Sequence, residues 1–230
     1  MPFTKITSNI FAIGGSNLSN PGDAMIYLVK TKSNKLVLID SGIDSLNYIE
    51  NNISDTGNNP IDLIALILTH CHIDHTGSAH SIKQKYPKVK IIAHEWERSA
   101  LEGDKGTEKM IAADWYGVKY NPVHLDIVVK KEEEDINLGD TIFKIIQTPG
   151  HTPGSIAVIV KDDNKKILFG QDIHGPFMQD FNSNINDWHK SMKILMSKNA
   201  DILAEGHYGI YKGKDNVRKF IASQLRQNGF

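Results

Sequence analysis

A single cysteine, Cys71, stands in the 230 residues. That excludes an internal disulfide framework and points to a reducing compartment. No apolar run approaches the roughly 20 residues needed to span a bilayer. The opening stretch, MPFTKITSNIFAIGG, also lacks the apolar run of about 7–15 residues that marks a secretory signal. The expectation is a cytoplasmic protein with no membrane segment. Nor does one sign of charge dominate, since 26 Lys and Arg oppose 27 Asp and Glu for a formal net charge of -1. A chain so balanced gives no signal for nucleic acid or any other polyanion. The run KKEEED at Lys130–Asp135 does concentrate charge, but its signs cancel and it reads as a solvated turn. Internal repeats and low-complexity linkers are missing too. With 40% hydrophobic residues, the chain can bury a substantial core, and it reads as one domain over residues 1–230.

What is present is a chain of short apolar strands. NIFAIGG, AMIYLVKT and KLVLIDSG are strand candidates separated by Gly, Asn, Ser and Pro. Ile43, Leu46, Ile49 and Ile53 then fall near helical spacing, with Asp44 and Ser45 as caps. IDLIALILT is so rich in Ile and Leu that it reads as a fully buried strand. A helix over Ser78–Tyr86, stopped by Pro87, and a strand KVKIIA follow. Residues Glu95 to Tyr120 form an aromatic helical segment punctuated by Gly103 and Gly106. Three strands (DTIFKIIQT, SIAVIVKD, KKILFGQD), a helix near Ile185–Ser197, a strand DILAEG and a terminal helix over Asp215–Gln227 complete the pattern. Strand-rich halves that each end in helices suggest two sheets with helices outside them.

The stretch LTHCHIDHTG places His70, His72, Asp74 and His75 directly behind the buried strand. On an extended backbone, residues two apart point the same way, so His70 and His72 can converge on one ion. Helical neighbours lie three or four apart, so these two cannot share a helix face. Neutral imidazoles with a carboxylate suit Zn²⁺, Fe²⁺ or Mn²⁺. Cys71, between two ligands, faces away by the same alternation and reads as packing. Three later segments repeat the grammar of apolar strand, glycine and ligand: His151 in IIQTPGHTPGS, Asp172 in ILFGQDIHG and His207 in ILAEGHYG.

Taken in order, THCHIDHTG, TPGHTPGS, GQD and EGHYG resemble the successive motifs of the metallo-β-lactamase fold superfamily. LVLIDSG, carrying Asp40, resembles its early Asp-x-Gly element. The likeness runs from about Ile10 to His207. It implies an α/β (α+β) fold, a four-layer αββα sandwich with the site at one edge between the sheets. It also implies two divalent metal ions, Zn first, with Fe or Mn as alternatives. One ion would take His70, His72 and His151, and the other Asp74, His75 and His207. Asp172 would bridge them beside a water or hydroxide, and Asp40 would orient a ligand from outside. A metal-bound hydroxide would then attack a small ester-like substrate, with Asp74 counted in the catalytic set.

Where members usually show Gly-Asp, this chain has Gly170-Gln171-Asp172, and the extra residue is read as a small bulge that still delivers Asp172. A carboxylate there resembles the glyoxalase II and lactonase branches, so penicillin hydrolysis is not expected. Only one helix follows His207, which argues against strict glyoxalase II activity. His174 is a candidate general acid or substrate donor, and Tyr208 a candidate donor to a developing oxyanion. His94 reads as non-ligating, and His80, His124 and His189 carry no role. Trp96, Met110, Trp115, Tyr116 and Tyr120 are candidates for an apolar lid favouring a lactone, thioester or other acyl ester. The partner is therefore a small molecule, and a homodimer is left open. The competing readings are an iron persulfide dioxygenase, a phosphodiesterase on the same fold, and a metal-binding sensor without turnover.

Overall fold

A computed structural model describes residues 3–15 and 17–230. Met1 and Pro2, part of the opening stretch read for a signal, lie outside the described residues. The first half runs β1 (Thr4–Lys5), β2 (Ile10–Gly14), β3 (Ile26–Lys30), β4 (Leu36–Ile39), α1 (Leu46–Asp55), β5 (Leu63–Ile67), α2 (Ile73–Thr76), α3 (Ala79–Lys85) and β6 (Lys90–His94). Short helices α4 (Arg98–Leu101), α5 (Glu108–Ile111) and α6 (Ala113–Tyr116) lead to β7 (Ile127–Val129). The second half runs β8 (Glu133–Leu138), β9 (Thr141–Gln147), β10 (Ile156–Asp162), β11 (Lys165–Gln171), α7 (Ile185–Ser197), β12 (Ile202–Glu205), β13 (Ile210–Lys212) and α8 (Lys214–Gln227).

Strands β1 to β7 form one sheet in chain order, and β13-β12-β11-β10-β9-β8 form the other. Side-chain alternation explains the four layers. In β4, Val37 and Ile39 enter a core between the sheets, while Leu36 and Leu38 face α1 and α3. In β11, Ile167 and Phe169 join the same inter-sheet core, and Leu168 turns outward to α7 and α8. Each such buried side chain is worth roughly 1.5–3 kcal/mol, so the alternation fixes which face turns inward. The αββα sandwich expected from the sequence is the architecture found. No described helix is long and apolar enough to cross a membrane.

Most elements fall where the patterns put them, and α7 matches its expected bounds. The charged run is the main correction. Glu133 to Asp135 are not a solvated turn but the start of β8, an edge strand whose exposed and sheltered positions alternate. Asp135 lies opposite Lys144 of β9 in register, and their charges meet at 2.8 Å. An edge strand tolerates such residues because its outer face and free edge are wet. The short strands β7 and β13 carry too little pattern to be expected from the sequence. Ser45 does precede α1, but its hydroxyl donates to Asp23 and makes no cap hydrogen bond.

The candidate metal centre

Five strand ends assemble the site. β4 delivers Asp40, β5 the His70–His75 stretch, β9 His151, β11 Asp172 and β12 His207. The two sheets are stitched at this edge, where Ile156 N donates to Thr69 O at 2.9 Å. After β5 the chain bends at Thr69 to Cys71, passes through an extended His72 (φ -61°, ψ 146°) and closes into the single turn of α2. That turn carries Asp74 and His75 back over the strand ends. The extra residue in β11 is indeed a bulge: pairing with β12 slips between Phe169 and Gln171, and Gln171 adopts φ +46°. Asp172 is delivered to the site, with its backbone N donating to Gln171 Oε1 at 2.6 Å.

Seven side chains converge here in two groups. In the first, His70 Nε2 and His151 Nε2 each lie 3.0 Å from His72 Nδ1. In the second, His207 Nε2 lies 3.2 Å from Asp74 Oδ2, and His75 Nε2 lies 3.7 Å from the same oxygen. Asp172 stands between them. Its Oδ2 is 3.5 Å from His151 Nε2 and 3.9 Å from His70 Nε2, while its Oδ1 is 3.1 Å from His75 Nε2 and 3.3 Å from His207 Nε2.

The tautomers can be assigned from the outer partners. His75 Nδ1 donates to Asp40 Oδ2 at 2.7 Å, and His151 Nδ1 donates to Pro176 O at 2.8 Å. The hydroxyl of Thr69 donates to Asp40, so His70 Nδ1, 3.1 Å away, must donate to Thr69 Oγ1. Bare Nε2 atoms of His70 and His151 are thereby turned toward His72 Nδ1. Deep inside, His75 Nε2 and Asp172 Oδ1 have no aligned hydrogen-bond partner despite being neighbours. Such orphaned buried atoms, aimed at shared points, fit divalent cations held by imidazole and carboxylate. Asp40 binds from outside the groups, as the sequence reading expected.

The electrostatics of the two groups differ in sign. Burial holds the His70, His72 and His151 imidazoles below their ordinary pKa, and crowding by neighbouring histidines adds to this at His70. Burial works the same way at His75 and His207, but carboxylates outweigh it. Asp172, Asp74 and Asp40 raise His75 well above its usual value, and Asp172 and Asp74 push His207 up to about 10. Burial of Asp172 is overcome in turn by His75 and His207, which hold its carboxyl well below the usual carboxylate range. The carboxylates around His75 and His207 thus favour positive charge at the positions where the geometry fits a cation.

Gly206 makes room for Asp172, since a Cβ at residue 206 would sit 2.3 Å from Asp172 Oδ1. Gly206→Ala is expected to weaken metal retention by about 10–100-fold, measured by elemental analysis after dialysis. Wild-type retention would contradict it.

The remaining candidates divide. His174 lines a cavity of about 320 Å³ over the metal groups. Its Nδ1 donates to Glu205 Oε1 at 2.7 Å, leaving Nε2 unengaged by that partner. Tyr208 lines the same cavity but is 60% exposed, with its ring edge-on to His174. Of the expected lid, only Trp115 and Tyr116 reach the cavity. Met110 is buried, Trp96 packs edge-on against His94, and the Tyr120 hydroxyl donates to Leu101 O. Cys71 is buried on the helix side of the sheet, donating to Met110 O. His94 is buried and joins neither group. Sequence reasoning missed Phe181, whose ring centroid is 4.2 Å from His72 and 5.0 Å from Trp115. It also missed the buried Glu205, which accepts from His207 N and Tyr208 N at 2.7 and 2.8 Å. Phe181 ends a single 3-10 turn, Gln179–Phe181, too short to show a period, and Glu205 looks like any strand end.

Residues 19–207 match the family model of the metallo-beta-lactamase superfamily. The chain belongs to that superfamily. A probable metallo-hydrolase of Methanocaldococcus jannaschii is 34% identical over 137 residues, which are 59% of this chain and 62% of that protein. Hydroxyacylglutathione hydrolase 1 of Vibrio vulnificus is 25% identical over 181 residues, covering 76% of this chain but only 58% of its own length. Among solved structures, a metallo-beta-lactamase from Cronobacter sakazakii superposes with a TM-score of 0.82 at 19% identity, over 99% of this chain and 93% of that one. The subclass B3 enzyme of Bradyrhizobium japonicum gives 0.78 at 22% identity, over 99% and 92%. At such identities these two establish the fold alone.

Proposed function

We propose that this chain is a dinuclear metal-dependent hydrolase of small ester-like substrates: lactones, thioesters or other acyl esters. The observation that carries the reading is the pairing of two ligand groups across Asp172, whose two oxygens approach one group each. His70, His72 and His151 would hold one ion, and Asp74, His75 and His207 the other. When bound, two such ions activate water at neutral pH and polarise the carbonyl under attack. The remaining work belongs to side chains. Asp40, Thr69 and the Pro176 carbonyl keep the imidazoles in their ligating tautomers. Glu205 fixes the His174 ring by its Nδ1, which leaves Nε2 to give a proton to the departing group. The Tyr208 hydroxyl is the candidate donor to oxygen charge at the cavity mouth.

The cavity wall supports an acyl substrate. Trp115, Tyr116, Phe181 and Ala112 line one side, and no Lys or Arg lines it among the described residues. A phosphodiester or a peptide-like anion would gain from such a cation. Trp115, 58% exposed and tilted against Phe181, is placed to cover an apolar acyl group. Trp115→Ala is expected to raise KM for long acyl or aryl esters by about tenfold, the worth of one buried apolar contact, with kcat little changed. A fall in kcat at unchanged KM would contradict that placement.

The reading as a whole is tested by loading the metal-free protein with Zn²⁺, Mn²⁺ or Fe²⁺ and assaying lactones, thioesters, aryl esters and phosphodiesters. Chelator-sensitive acyl hydrolysis supports it. Oxygen uptake with a persulfide by a one-iron protein, or phosphodiester cleavage alone, overturns it.

A further inference from the structure

Glu97 is a buried carboxylate that the hydrolytic chemistry above does not use. It ends the 3-10 turn Glu95–Glu97, which follows β6, and its side chain is fully buried. Its oxygens accept three hydrogen bonds. Cys71 N donates to Oε2 at 2.9 Å, while Thr152 Oγ1 and Gly154 N donate to Oε1 at 2.8 and 2.7 Å. The identity of the donors is what matters. Cys71 lies between His70 and His72 in the segment leaving the first sheet, and Thr152 follows His151 in the loop leaving the second. One carboxylate therefore joins the two segments that present the three imidazoles. The fit leaves no slack, because a Cβ on residue 154 would lie 2.7 Å from Glu97 Oε1.

These three partners are all neutral donors. A carboxylate buried among neutral groups costs more than an apolar side chain of similar size would. An apolar side chain here would leave Cys71 N, Gly154 N and the Thr152 hydroxyl without this acceptor. Its two oxygens reach one segment each, so the carboxylate ties the backbone of one to that of the other.

We propose that Glu97 is a positioning residue for the three-imidazole group, setting the spacing of His70 and His72 against His151 from outside the ligand set. This rests on the metal reading above, but not on the identity of any substrate.

The test titrates the full-length, metal-free chain with Zn²⁺ against a chromophoric chelator and follows thermal unfolding in parallel. Glu97→Gln, which keeps the shape but turns an amide N–H toward a donor, is expected to weaken one equivalent by about 10–100-fold. Placed in a His207→Ala chain, which keeps the three imidazoles, Glu97→Gln lowers affinity; placed in a His70→Ala chain it does not. Thr152→Val weakens the same equivalent by less, and Thr152→Ser restores it. Wild-type affinity in Glu97→Gln, or equal weakening in both backgrounds together with a lowered melting temperature, overturns the proposal. If Glu97→Gln does not fold, the Thr152 pair decides, and wild-type binding by Thr152→Val overturns it. A chain that binds two ions yet cleaves no ester removes the proposed function and leaves this test intact.

Discussion

Replacing Asp172 with Ala is expected to cut ester turnover by about 10²–10³-fold and to reduce retained metal from two equivalents to one. The magnitude follows from what the second cation supplies. Lewis-acid stabilisation is worth several kcal/mol, and each 1.36 kcal/mol is a factor of ten in rate. The geometry explains why this residue, rather than Asp74, has the larger effect. Asp74 pairs with His75 and His207 of one group, whereas Asp172 approaches both groups from opposite oxygens. Its removal also strips the largest favourable charge from both imidazoliums in the ion-free state. Elemental analysis after dialysis and steady-state kinetics check it. Two retained equivalents with turnover near wild type would contradict it.

The second large effect is a difference in how the two groups respond to pH. Near neutral pH, His70, His72 and His151 are already unprotonated in the ion-free protein, because burial lowers their pKa. An ion entering them displaces no proton. His75 and His207 carry protons, since the carboxylates beside them raise both, His207 to about 10. An ion entering the second group must expel both. The sign follows directly. A group with a raised pKa keeps its proton below that value, so metal competes better as pH rises and the gain ends above about 10. Affinity changes tenfold per pH unit for each proton released. In a His70→Ala chain, which leaves the second group, Zn²⁺ affinity is expected to climb with pH, by about tenfold per unit for the His207 proton up to roughly pH 10 and more steeply wherever His75 also releases its own. In a His207→Ala chain, which leaves the three imidazoles, it stays nearly flat over the same range. Calorimetry in buffers of different ionisation enthalpy counts the protons. Equal slopes for the two chains would contradict the assignment.

Much of this was legible in the sequence, for identifiable reasons. An unbroken apolar run such as Leu36–Ile39 declares a strand buried on both faces, as a layered sheet requires. The histidine-rich stretch after β5 was readable because four metal-capable side chains set so close together suit a ligand cluster and little else. The bulge at Gln171 was readable from one surplus residue between Gly170 and Asp172. What escaped was set by contacts between distant residues. Glu133 to Asp135 look like a turn until Lys144 is placed opposite Asp135. Glu205 and Glu97 are ordinary glutamates until folding buries one against His174 and the other between two ligand loops. The lid was half readable. Aromatic content marked the segment, but only packing decides that Trp115 and Tyr116 face the cavity while Met110 turns inward.

Anomalous diffraction from a zinc-loaded crystal, collected above and below the zinc edge, asks most directly whether seven side chains hold two ions. The account predicts two peaks roughly 3.5–4 Å apart, one against His70, His72 and His151, the other against Asp74, His75 and His207, with Asp172 reaching both. A single peak, or peaks lying away from these residues, would contradict it.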